Sequence, residues 1–194
     1  MRSKIILDLC GGTGAWSRPY LESGYDVRLV TLPDYDVLTY SPPAGVYGIL
    51  AAPPCTDFAS SGAQYWLLKD SDGRTIDSMG VIIACLRIIA ECRPQWWALE
   101  NPVGRLRRWL GQPKLIFNPC DYGDPWTKRT CLWGNFNIPA MNPVEPDYIL
   151  SGNYARKDGR VGKKFSYIHM HYKDASIRSI TPPKFARAFF EANK

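Results

Sequence analysis

The chain has 194 residues, 45% hydrophobic and 22% charged; these globular proportions exclude a disordered or collagen-like polymer and suit one domain with room for a small insert. Its longest strongly apolar stretch, residues 81–86, is far shorter than the ~20 residues of a membrane span, and only a few apolar residues follow Met1-Arg2-Ser3-Lys4, so no membrane span and no secretory leader is expected and the cytoplasm is the expected compartment. The net charge of +6 is uneven: residues 1–100 carry 8 basic and 11 acidic side chains, residues 101–194 carry 16 and 7, so the back half either meets a polyanion or is a solvated basic face.

Residues 4–9 read as a buried strand that runs into Cys10-Gly11-Gly12-Thr13-Gly14. A helix over 15–23 follows, with Gly24 as its C-cap. Residues 26–32 read as a second strand ended by Pro33, and 46–52 as a third stopped by Pro53-Pro54. The polar stretch 56–74 reads as a long loop, of the kind that usually carries function. An apolar helix over 75–91 and a buried strand over 96–99 come next. Strands alternating with helices argue for an α/β fold, a parallel sheet covered on both faces. Beyond Asn101-Pro102, residues 114–117 and 131–133 read as further strands, and 135–176 shows little periodicity. Thr181 reads as the N-cap of a last helix whose apolar stripe is Phe185, Phe189 and Phe190. The six cysteines, Cys10, Cys55, Cys85, Cys92, Cys120 and Cys131, form no CxxC pair and none lies near His169 or His171, so neither zinc nor a disulfide framework is expected.

Three short stretches can carry chemistry. A strand followed by Gly11, Gly12 and Gly14 lets a ligand approach the backbone, which suits a dinucleotide or nucleoside cofactor as well as a plain tight turn. The spacing is not GxGxxG, because position 17 is Ser, and no phosphate-binding Lys follows, so NAD and P-loop readings fit poorly. Cys55 follows two prolines at a predicted strand end, either as a rigidly presented nucleophile or as a buried thiol on a proline-rich turn. Glu100 ends another predicted strand, on the same sheet edge as Asp8 and Cys55, as a proton donor or acceptor beside a nucleophile or as a surface carboxylate.

Taken together, in order and spacing, these stretches resemble the DNA cytosine-5 methyltransferases. That family's DLFxGxGG block matches Asp8-Leu9-Cys10-Gly11-Gly12-Thr13-Gly14. Its PPC with a nearby Phe matches Pro53-Pro54-Cys55 with Phe58, and its ENV matches Glu100-Asn101-Pro102. Its YGxPQxRxR block looks like Tyr122-Gly123-Asp124-Pro125-Trp126-Thr127-Lys128-Arg129, and its RxLT block like Arg178-Ser179-Ile180-Thr181. The small size is similar to that of the compact members carried by phages, for which the compartment is the host cytoplasm. The chain departs from the pattern at Pro102 in place of Val, in the shortened arginine block, and in the absence of a GNxV block from its 194 residues.

The resemblance implies a Rossmann-like, S-adenosylmethionine-dependent methyltransferase sheet with helices on both faces. It implies a catalytic core over 1–134, a small irregular target-recognition or basic segment over 135–177, and a C-terminal helix over 178–194 returning to the core. It places the cofactor at Asp8, Cys10, Gly12, Gly14, Trp16, Asp36, Val37 and Pro53. It makes Cys55 the nucleophile that adds to C6 of a cytosine flipped out of duplex DNA, Glu100 the partner of N3, and Arg129 or Lys128 the cation beside the base. Arg105, Lys128, Arg156, Lys157, Lys163 and Lys164 become candidate phosphate contacts, with Arg107, Arg108 and Arg160 in the same runs. An enzyme acting on RNA or a free nucleotide, and a non-catalytic nucleic-acid-binding relative, are the competing readings.

Overall fold

The computed structural model describes residues 3–146, 148–149, 165–166, 177 and 179–194. The elements are β1 (Ile5–Leu9), α1 (Arg18–Glu22), β2 (Asp26–Val30), β3 (Val46–Ala51), α2 (Trp66–Ser71), α3 (Arg74–Cys92), β4 (Trp96–Pro102), α4 (Arg107–Leu110), β5 (Leu115–Phe117), β6 (Thr130–Asn135), β7 (Tyr148–Ile149), β8 (Phe165–Ser166) and α5 (Pro183–Ala192). Two 3-10 turns, Ser60–Tyr65 and Pro119–Tyr122, join them. The fold is α/β: six strands in the order β2-β1-β3-β4-β6-β5, with β7 and β8 paired in a separate antiparallel ladder.

Strand periodicity divides the core. On β1, Leu7 and Leu9 face one side and Ile6 and Asp8 the other, as alternation of side chains requires. The first side packs Leu7, Leu9, Ile49, Ala51, Leu99 and Trp133 against Ile82, Cys85, Ile88 and Ile89 of α3. The second packs Ile6, Leu50, Ala98 and Leu132 against Trp16, Tyr20 and the Phe185, Phe189 and Phe190 stripe of α5. Helices therefore cover both faces, and the stripe read from the sequence is buried.

The structure departs from the sequence reading in several places. β2, β1, β3 and β4 are parallel, but β6 runs antiparallel to both β4 and β5, so the sheet is mixed. The β5–β6 connection holds only a 3-10 turn, and parallel neighbours need a longer crossover, usually a helix. The 56–74 stretch is not all loop, since it contains a 3-10 turn and α2. α1 starts at Arg18 rather than near residue 15, because the Ser17 hydroxyl donates to Asp8 Oδ2 at 2.5 Å and the glycine turn runs on to Ser17. The N-cap of α5 is Pro182, not Thr181; Pro182 precedes Pro183 and is held in extended backbone, as a residue before proline tends to be. β4 runs on past Leu99 to Pro102, because β6 supplies a ladder partner for Glu100, Asn101 and Pro102.

Candidate functional site

Three strand ends meet at one edge of the sheet. β1 ends in a turn where Cys10 N donates to Val30 O at 2.8 Å and Gly14 N closes onto Gly11 O at 2.9 Å. Gly14 sits at φ +68°, a left-handed conformation suited to glycine, and Gly12 and Thr13 are exposed at the tip. Beneath the turn lies Asp8, fully buried. Burial pushes its carboxyl up to about 6, against the opposing hydrogen bond from Ser17. Its Oδ1 is buried without a partner, although nearly all buried polar atoms in proteins find one.

Cys10 stands in this turn with a positive φ of 56°. The Cys85 thiol hydrogen-bonds to it and holds the Cys10 thiol below its ordinary value, against burial and the negative charges of Asp8 and Asp36. Asp36 is exposed and accepts a bond from Leu38 N at 2.9 Å, while Val37 is buried in the core. Trp16 does not join them at the surface: it is 1% exposed, its ring 5.4 Å from that of Phe189, and its Nε1 is buried without a partner.

β3 ends beside β1, where Ala52 N donates to Leu9 O at 2.9 Å. Pro53 is buried and Cys55 half-buried. The Cys55 carbonyl accepts from Phe58 N at 3.0 Å and Ala59 N at 2.9 Å, so the nucleophile candidate sits at the head of a closed turn. β4 contributes the third end. Ala51 pairs with Leu99, so Glu100 lies one residue past the end of β3 while still inside the ladder with β6. Asn101, fully buried, donates from Nδ2 to Pro53 O at 3.1 Å and ties the Cys55 turn to the strand that carries Glu100. Burial holds the Glu100 carboxyl above the usual glutamate range, and the charge of Lys128 only partly opposes it.

Of the two cations in the shortened arginine block, Lys128 is therefore the one whose field reaches Glu100. Arg129 is exposed and its carbonyl accepts from Val103 N at 3.2 Å. Arg105, expected to contact nucleic acid, turns inward. Arg105 is 3% exposed, with its guanidinium bonded to Asp70, Thr75 and the Asp57 carbonyl. Arg107 and Arg108 point outward instead. Arg156, Lys157, Arg160, Lys163 and Lys164, with His169, His171 and Arg178, lie outside the described residues. Among the described residues no group of three or more His, Cys, Asp or Glu side chains is placed to hold a metal, and no helix is long and apolar enough to cross a membrane.

The sequence reading assigned no role to Asn101 or Lys69. Asn101 stood inside a quoted motif, so its position was visible, but its bond to Pro53 joins residues 48 apart. Lys69 is a single lysine in a polar stretch and carries no signal of burial.

No protein-family profile and no curated protein matches the chain. Among solved structures it is similar to a candidate DNA modification methyltransferase encoded within an E. coli prophage, at 18% identity and TM-score 0.48, over 74% of this chain and 53% of that one. It is also similar to the Entamoeba histolytica methyltransferase EhMeth, at 13% identity and TM-score 0.49, over 77% of this chain and 59% of that one. The chain thus spans between 53% and 59% of the length of these two proteins.

Proposed function

We propose that this protein transfers a methyl group from S-adenosylmethionine to C5 of cytosine in DNA. The observation that carries the reading is the meeting of the glycine turn, Cys55 and Glu100 at one sheet edge, with Asn101 bonded across to Pro53. In open α/β sheets ligands bind beyond the carboxyl ends of strands, where these groups stand.

The residues present fit the cofactor. Asp8 offers a buried oxygen without a partner beneath an exposed glycine turn, and Asp36 lies on the same rim. Cys10, Gly12, Gly14 and Pro53 would border it, with Trp16 and Val37 supporting the wall from the core. When bound, S-adenosylmethionine supplies an electrophilic methyl group on a positively charged sulfur.

C5 of cytosine is a weak nucleophile, so the chain's own groups must activate it. The Cys55 thiolate adds to C6, and the electron pair of the C5–C6 double bond becomes available at C5. Glu100 supports that addition because its raised pKa favours the acid form, whose proton is held at N3 and draws charge from the ring. Once C5 is methylated, its proton leaves to a base and the C6–S bond breaks, restoring the ring and the Cys55 thiolate. Lys128, beside Glu100, stabilises negative charge as it develops on the ring. The target base must leave the duplex to reach Cys55. Outward-pointing Arg107 and Arg108, together with the basic run 156–164, would hold the phosphates.

Mass spectrometry of nucleosides from duplex DNA incubated with labelled cofactor tests the reading, with label expected on 5-methylcytosine. Cys55→Ala is expected to abolish transfer and covalent trapping on 5-fluorocytosine DNA while keeping cofactor affinity. Trapping that survives in Cys55→Ala would move the nucleophile elsewhere. Label on RNA or dCMP, and none on DNA, would replace the substrate.

A further inference from the structure

Two buried cations behind Cys55 are not used in the chemistry above. Lys69 is 6% exposed and Arg105 is 3% exposed. A buried cation is costly unless it is paired and hydrogen-bonded, and both are. Lys69 Nζ donates to the Thr56 carbonyl at 2.6 Å and pairs with the Asp57 carboxylate at 3.0 Å. Ser78 Oγ donates to the same carboxylate at 2.5 Å. Burial pushes the Asp57 carboxyl up, but Ser78 and Lys69 outweigh it and hold the group below the usual aspartate range.

Arg105 closes the other side. Its Nε donates to the Asp57 carbonyl at 2.8 Å, and its backbone N to the Phe58 carbonyl at 2.9 Å. Its guanidinium forks onto Asp70 at 2.7 and 2.9 Å and reaches Thr75 Oγ1 at 2.6 Å. Gly104 lets this segment approach, since a Cβ there would lie 1.9 Å from the Phe58 carbonyl oxygen. Residues 56–59, directly after Cys55, are thereby gripped by α2, by α3 and by the chain leaving β4. α2 also presents Leu67 and Leu68 outward, 86% and 56% exposed, while its Lys69 bonds to the turn and its Asp70 to Arg105.

We propose that Lys69 and Arg105 are positioning residues that set the Cys55 thiol against Glu100. The inference rests on the reading of Cys55 as nucleophile and Glu100 as its proton partner. Arg105 follows Glu100 by five residues and reaches back to Asp57, two residues after Cys55, so one side chain fixes the spacing of the two groups. Lys69 fixes the same turn from α2. Nucleophilic addition needs reacting atoms held near ~3–3.5 Å, and a misplacement of ~1 Å can cost ~100-fold.

The test compares Lys69→Met, Lys69→Arg and Asp70→Asn with the wild-type chain. Asp70 is the half-exposed partner of Arg105, so its variant keeps the fold if Lys69→Met does not. Lys69→Met and Asp70→Asn are expected to lower kcat 10- to 100-fold, with KM for DNA and cofactor affinity within about twofold of wild type. Lys69→Arg is expected to recover most of the loss. Alkylation of Cys55 by iodoacetamide, followed by mass spectrometry, is expected to quicken several-fold in Lys69→Met and Asp70→Asn, because the turn is released. That measurement needs no methyl transfer, so a failure of the proposed activity leaves it intact. Wild-type kcat and wild-type alkylation rates in folded variants would overturn the inference. A loss confined to thermal stability would also overturn it, by reducing the two cations to structural ties.

Discussion

Asp8→Asn isolates the energetic cost of the buried acid beneath the glycine turn. The Asp8 carboxyl is fully buried and pushed up to about 6 from 3.8, first by burial, against the Ser17 hydrogen bond. The folded state therefore keeps a proton that the unfolded chain releases. Stability must fall as pH rises through the window from about 4 to about 6, and the loss is complete once both states are ionised. A difference of about 2 pH units at ~1.4 kcal/mol per unit sets the loss at up to about 3 kcal/mol. Asn keeps an acceptor for the Ser17 hydroxyl, which bonds Oδ2 at 2.5 Å, and cannot ionise. Urea unfolding at half-unit steps from pH 4 to pH 8 is expected to show Asp8→Asn gaining on wild type by up to about 3 kcal/mol, nearly all of it below pH 7. In a chain of this length that corresponds to roughly 6–12 °C in melting temperature. A gap that stays constant across the range would refute the reasoning, because it would mean that Asp8 titrates alike in both states.

Two further substitutions test the frame around the site. Gly14→Val puts a β-branched side chain at φ +68°, so it is expected to weaken S-adenosylmethionine binding in calorimetry and to cost about 1–3 kcal/mol of stability; equal affinity would remove this turn from the cofactor site. Gly104→Ala drives a methyl into the Phe58 carbonyl and strains both the Ala59–Gly104 bridge and the Arg105–Phe58 bond, so a lowered urea midpoint is expected, on the order of 3 kcal/mol. An unchanged midpoint would show that the 55–59 turn is not docked there.

Much of the site was legible because its residues lie at the ends of short local patterns. An apolar run that stops at glycines, at two prolines or at a polar pair marks a strand end. Parallel strands then bring Asp8, Cys55 and Glu100 to one edge whatever the connections between them. The apolar spacing of α3 and the phenylalanine stripe of α5 are likewise readable, because each follows from 3.6 residues per turn.

What the sequence could not settle were the pairings between distant residues. Arg105, Arg107 and Arg108 look alike in a basic run; only packing against Asp57, Asp70 and Thr75 turns Arg105 inward and leaves the others outside. Lys69 looks like a surface lysine until Asp57 is brought beside it. Ser17 reads as part of a helix until Asp8, nine residues away, claims its hydroxyl and delays the start of α1. Glu100 reads as lying beyond its strand until β6 supplies the antiparallel partner that extends β4. By itself the sequence determined where apolar periodicity begins and ends, because that depends on neighbours along the chain. The tertiary structure decided which charges are buried, because the cost of burial is met by partners that only the fold brings into reach.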